Sequence, residues 1–231
     1  MFARRIFPVS LLVVLLAAGA LAWWVAEWMA LRPLPPSGGL YIPGRIEVPG
    51  PHFLQFDQRW AGEKLGPTEE SMGSVGCAVT SAAMVLAGYG AGTDPGRLNA
   101  YLTSTPGGYT PQGWLYWEKA AEIASGLTPD LLPHYEDRPS YFLIDSNLLQ
   151  GNPVIIRLRY ASGITHFMVV CGKEGFDYLV RDPGLGGQRG VYPLRDFGSP
   201  IEALRFYRKP VNTPPEISGG ERVLGNPAPA G

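Results

Sequence analysis

The chain has 231 residues, 19 Lys+Arg against 20 Asp+Glu for a formal net charge of -1, and a hydrophobic fraction of 45%. That balance gives no electrostatic case for nucleic acid, which is bound through a strongly basic face, and the apolar content excludes a wholly disordered chain. Two cysteines and three histidines exclude a multi-bridge scaffold, and without a CxxC or Cys/His cluster no metal or other cofactor is expected.

Residues 1–31 bear on the compartment. Arg4 and Arg5 precede an uncharged run, residues 6–26, which Glu27 interrupts. Crossing a bilayer takes roughly 20 apolar residues, whereas a signal-peptide core is about 7–15. The run therefore predicts one transmembrane helix, with Arg4 and Arg5 cytoplasmic and Trp23, Trp24 and Trp28 in the interfacial belt. Ala20-Leu21-Ala22 also has the pattern of a cleavage site, and a cut there would give a secreted protein. Either way the remainder is expected outside the cytoplasm. Residues 32–51 (RPLPPSGGLYIPGRIEVPGP) read as a Pro/Gly linker and residues 208–231 as a disordered tail. Between them, residues 52–207 suffice for one domain with its own core.

Within that domain the hydrophobic period changes partway. Residues 77–87 (CAVTSAAMVLA) are apolar nearly all round and end at Gly88 and Gly90, which predicts a buried helix. Residues 94–102 open on Asp-Pro and predict another, and residues 113–125 and 140–149 two more. Strand patterns follow: residues 154–159 (VIIRLR), 165–171 (THFMVVC) and 178–182 (YLVRD), the last two joined by GKEGFD as a hairpin. Residues 191–192 and 204–207 suit edge strands. Helices first and antiparallel strands second predict an α+β domain, preceded by the membrane helix.

Cys77 follows Gly76 and opens the most apolar helix, where unpaired amide donors and the positive helix end favour a thiolate. The same position also suits a small buried hydrophobe. His166 starts its strand, and alternation groups it with Met168 and Val170, opposite Phe167, Val169 and Cys171. It could take a proton from a thiol across a cleft, or simply be a satisfied edge histidine. His134, in the polar loop LPHYED, and His52, at the linker junction, look solvated. Asp182 would lie near His166 if the hairpin forms and could fix its tautomer, although Asp-Pro-Gly is also an ordinary turn sequence. Gln55 or Gln58 could donate to an oxyanion. Trp114 and Trp117, three apart, read as core. The run Gly184 to Gly190 (GLGGQRG) breaks the GxGxxG spacing and reads as a surface loop.

Taken together, the order Gln, Cys at a helix start, His at a strand start and Asp on the next strand resembles that of papain-like cysteine peptidases. Within them the chain resembles the double-glycine (bacteriocin-leader-processing) peptidase-like family, in QFDQRWAGEKLG, SMGSVGCAVTSAAMVLAGYG, GNPVIIRLR and HFMVVCGKEGFDYLVRDPG. The resemblance implies a papain-like fold, with a helical half packed on a C-terminal antiparallel sheet. It implies Cys77 as nucleophile, His166 as general base and acid, Asp182 as orienter, and Gln55 as the oxyanion glutamine with Gln58 in reserve. Two departures stand out: Ala78-Val79 where many members have Gly-Pro, and Cys171 where an aliphatic residue or Thr is usual. Alternation puts Cys171 opposite His166, so a disulfide to Cys77 is not expected. No GxxxxGK[ST] occurs and only the tail follows, so leader cleavage coupled to export is not expected. The implied activity is peptide-bond hydrolysis by a membrane-anchored thiol enzyme whose partners are a peptide or protein substrate, including cell-wall peptide, and the membrane. Two alternatives stay open: a catalytically idle module that binds peptide or cell wall, and an amidase or transpeptidase acting on peptidoglycan.

Overall fold

The computed structural model describes residues 6–30, 32–126 and 131–208. In chain order the helices are α1 (Ile6–Ala30), α2 (Met72–Val75), α3 (Cys77–Gly88), α4 (Pro95–Ser104), α5 (Trp117–Ala121) and α6 (Tyr141–Leu149). The strands are β1 (Ser37–Glu47), β2 (Leu132–Glu136), β3 (Val154–Arg159), β4 (Thr165–Arg181), β5 (Tyr192–Pro193) and β6 (Ala203–Arg208). They form one antiparallel sheet in the order β1-β4-β3-β6-β2, with β5 paired to β4. The α+β architecture is as the sequence implies.

Strand alternation divides the core between the two faces of this sheet. Ile155, Val169 and Tyr207 go to one face and pack with Val79, Ala82, Ala83 and Leu86 of α3. Ile156, Met168, Val170, Leu204 and Phe206 go to the other face and pack with Ile144 and Leu148 of α6. Each fully buried aliphatic side chain contributes about 1.5–3 kcal/mol. Helix α3 is therefore held on nearly every side, as an all-round apolar helix must be.

The long strand β4 folds back on itself. His166 and Asp182 touch at 2.7 Å, and Cys171 reaches the Leu179 carbonyl, whereas a straight strand would separate the first pair by about 50 Å. The reversal lies at Gly175, whose φ of +60° suits a tight hairpin turn. The expected hairpin is thus present and brings His166 beside Asp182.

The structure departs from several sequence-based expectations. The stretch 32–51 is not only linker. Its middle is β1, paired with the turn region of β4 from Glu47↔Gly172 to Ser37↔Asp177. Buried Lys173 secures this strand, donating to the Gly38 carbonyl at 2.7 Å and pairing with Asp145 at 2.6 Å, while Leu40 N donates to the other Asp145 oxygen. High Pro and Gly content concealed the strand, and Pro43 is tolerable because β1 is an edge. The predicted helix over 113–125 is short, since Gly113 sits at φ +82° and Tyr109 bridges Leu115. His134 lies on β2, not in a solvated loop, and stacks on Phe206 at 5.2 Å. Among the described residues no helix is long and apolar enough to cross a membrane, the side chains of α1 being described only over 11–25. The membrane helix therefore rests on the sequence alone. Arg4, Arg5 and the expected tail lie outside the described residues, except that Arg208 closes β6.

Candidate active site

Cys77 is placed by a break between two helices. The short α2 is capped by Ser71, which accepts from Ser74 N, and Gly76 then turns the chain directly into α3. A side chain at Gly76 would collide with the Met72 carbonyl, so the approach to the cysteine requires glycine. The first intrahelical bond runs from Thr80 N to Gly76 O. The N–H groups of the first turn, that of Cys77 included, are left without helix partners. Cys77 is 9% exposed and lies on the wall of a cleft of about 660 Å³, within the usual range for ligand sites.

His166 lies opposite Leu158 at the start of β4 and is 2% exposed. Its Nε2 is 2.7 Å from Asp182 Oδ1, leaving Nδ1 as the nitrogen for another partner. Cys77 is close enough for its thiol to bear on the charge of the ring. Tyr160 and Phe197 flank the imidazole at centroid distances of 4.7 and 5.9 Å. Burial alone would push the imidazolium pKa down. The hydrogen bonds to Asp182 and Cys77 and the charges of both outweigh burial and raise it from 6.5 to about 9.

Asp182 is 1% exposed and fully partnered. Oδ1 accepts from His166 Nε2 and from Gly184 N, and Oδ2 accepts from the Tyr192 hydroxyl, each at 2.7 Å. Burial pushes this carboxyl up, but the His166 bond and charge, with Tyr192 and Gly184, hold it below the usual carboxylate value. A fixed anion on Nε2 sets the tautomer and orientation of the ring.

A strap from the N-terminal segment secures the aspartate. His52, expected to be solvated, is half-buried and its Nε2 lies 2.9 Å from the Asp182 carbonyl oxygen, while Gln55 N donates to Pro183 O at 2.8 Å. The glycine-rich run after Asp182 is not a free surface loop, because it wraps this aspartate. A Cβ on Gly187 would strike the Asp182 carbonyl and approach His52 Nε2 to 2.8 Å. Neither His52 nor Tyr192 was identifiable as a site residue beforehand, since each works only through an atom brought near by tertiary folding. The glycine spacing was the one available signal.

The Gln55 amide donates to Gly73 O at 3.0 Å and Ser74 O at 3.4 Å, the carbonyls just ahead of Cys77, and its Oε1 is buried without a partner. Gln58 is exposed in a turn. The structure thus brings Cys77, His166, Asp182 and the Gln55 side chain to one end of α3 and leaves Gln58 at the surface. Both cysteines are free. Burial pushes the Cys171 thiol up to about 11. Trp114, read as core, is 74% exposed on the cleft wall, and Trp117 lines both cleft and core. Among the described residues no group of three or more His, Cys, Asp or Glu is arranged to hold a metal ion.

Comparison with known proteins yields one family. The Peptidase_C39 like family matches residues 51–207. No curated protein matches the chain. Among solved structures, one described as a C39-like peptidase from Bacillus anthracis is 15% identical, covers 71% of this chain and 98% of its own, and has a TM-score of 0.43. The family match runs from just before the His52 strap to Tyr207 within β6 and takes in Cys77, His166 and Asp182, and the chain belongs to the Peptidase_C39 like family of cysteine peptidases.

Proposed function

We propose that the protein is a membrane-anchored, extracytoplasmic cysteine peptidase working through Cys77, His166, Asp182 and Gln55. The observation that carries this reading is the buried His166 imidazole, held by the Asp182 carboxylate at Nε2 and close enough to Cys77 for the thiol to bear on its charge. In the proposed cycle the Cys77 thiolate attacks the scissile carbonyl. The tetrahedral oxyanion is held by the Cys77 N–H and the Gln55 amide, whose long 3.4 Å bond to Ser74 O is the one it would give up. The imidazolium then donates its proton to the departing amine as the C–N bond breaks. A water deprotonated by His166 hydrolyses the thioester, releasing the acid and restoring the thiol pair.

The double-glycine, leader-processing subtype enters this proposal as a sequence resemblance only, without coupling to export. Anchoring rests on the uncharged run 6–26. It is tested by alkaline carbonate extraction of membranes and protease shaving of intact cells.

The chemistry is tested by iodoacetamide labelling of the full chain from pH 5 to 9, comparing wild type with Cys77→Ala, Cys171→Ala and His166→Ala. Cys77 is expected to alkylate rapidly below pH 7 and to lose that behaviour without His166, while Cys171 stays silent. A Cys77 that does not react, or that titrates as a free thiol (about 8.5) regardless of His166, overturns the proposal.

A further inference from the structure

The sheet side of the cleft is one-sided in charge. Outward along the face that carries Ile155, Val169 and Tyr207, the chain places Arg157 and Arg159 on β3 and Arg205 on β6, and all three line the cleft. Arg205 pairs with Ile155 and Arg157 with Ala203, so Arg157 and Arg205 are diagonal neighbours on adjacent strands, about 7–8 Å apart at the backbone. Across from these three guanidiniums the lining holds one acidic side chain, Glu70, which is exposed.

Compensation from outside the cleft is incomplete. Glu202 is shared, at 3.4 Å from Arg157 and 2.7 Å from Arg159. Asp137 meets Arg205 at 3.2 Å with its side chain 73% exposed, so solvent weakens that pair. The buried Nε of Arg157 has only its 3.4 Å ion pair with Glu202 and no hydrogen bond, and the buried Nε of Arg205 has no acceptor, its Nη atoms donating to Leu204 O and Asp137. Guanidinium donors left unused beside a cavity are costly, and an oxygen anion relieves the cost best because the planar fork matches a carboxylate. The apolar walls, including Trp114, Trp117 and Phe167, would keep water from screening such a contact.

We propose that this arginine floor is a carboxylate subsite, which takes an acidic side chain or a free C-terminal carboxylate of the peptide bound beside Cys77. Its place relative to a scissile bond rests on the peptidase reading, whereas the binding does not. The test therefore has two arms, both on the full chain. In the first, Cys77→Ala protein is equilibrated with an equimolar random decapeptide mixture, once amidated and once with free C-termini, and captured peptides are sequenced by mass spectrometry. Peptides with Asp or Glu at a defined position, or those with a free terminus, should be enriched about tenfold over their amide counterparts, and adding Arg157→Gln should abolish the enrichment. Enrichment confined to the free-terminus mixture identifies the C-terminal carboxylate as the ligand, and enrichment in both mixtures identifies the acidic side chain. In the second arm, active protein cleaves paired quenched-fluorescence peptides that differ only in Asp or Asn at that position, and the ratio of kcat/KM values should fall toward one in Arg157→Gln. If Arg157→Gln does not fold, Arg205→Gln serves in its place. Equal capture of acidic and amide peptides overturns the subsite whether or not any peptide is cut. Selective capture without cleavage upholds the subsite and counts against the peptidase.

Discussion

Replacing Asp182 by Asn keeps the shape of the site and removes one charge. An asparagine can still accept from His166 and Gly184 N and can donate to Tyr192, so the hydrogen bonds are preserved and only the imidazolium loses its counter-charge. The raised His166 value, about 9 against an ordinary 6.5, corresponds to about 3 kcal/mol at about 1.4 kcal/mol per pH step. Asp182 and Cys77 share in that stabilisation, so the variant should lose on the order of 2 kcal/mol, or about 4–8 °C in Tm for a domain of this size. A base whose folded pKa is raised stabilises fully below its unfolded value and loses that stabilisation as pH rises through the folded one. The stability gap between wild type and Asp182→Asn should therefore be widest near pH 5–6.5 and shrink steadily toward pH 9. Denaturant melts at pH 6, 7.5 and 9 measure the gap, and nitrogen-resolved NMR of the three histidines assigns the titration. A gap that stays flat from pH 6 to 9, or a wild-type His166 titrating at or below 6.5, would refute the reasoning.

Other predictions test neighbouring parts of the site and the fold. Cys77→Ala should abolish peptide cleavage and lower the His166 pKa, because the thiol's hydrogen bond and charge both raise it; the same NMR titration reads this. Gln55→Ala should cut kcat about 10²–10³-fold with little change in melting, whereas Gln58→Ala, at an exposed turn, should stay near wild type. Gly187→Ala places a methyl against the Asp182 carbonyl and His52 and should cost about 2 kcal/mol or more in a urea melt, while Gly92→Ala, with nothing within 4 Å, should stay within about 0.5 kcal/mol. Lys173→Met leaves the Asp145 carboxylate without its buried cation, 1% exposed on the lysine side. It should cost about 3–5 kcal/mol and speed hydrogen exchange across β1.

The geometry of the proposed site follows from two local features joined by one long-range one. An apolar helix whose first residue is Cys77 can only bury itself in the core, which fixes the depth of the thiol. A hairpin turning at Gly175 can only bring His166 against Asp182. The sheet then holds helix and hairpin together through Val169, Ile155 and the α3 face. Small displacements at any of these would shift Cys77, His166 and Asp182 relative to one another, and in the proposed cycle such groups tolerate misplacements of an ångström poorly.

Much of this was legible in the amino-acid order, because it depends on neighbours in the chain. The all-round apolar run after Gly76 determined α3 and put Cys77 at its start. Strand alternation assigned Phe167 and Val169 to one face and Met168 and Val170 to the other, as the two core clusters show, and Gly175 between two apolar runs determined the hairpin. The remaining features depend on atoms far apart in sequence. β1 and β2 are strands because β4 and β6 offer them open edges, and their own Pro, Gly and polar residues argued otherwise. His52 is a site residue only because it meets the carbonyl of Asp182, 130 positions later. Three arginines form one floor because β3 and β6, separated by the whole hairpin, lie side by side. Local propensity is a property of short windows of chain, while edge pairing, second partners of buried polar atoms and the charge of a cleft are decided only when distant segments are packed together.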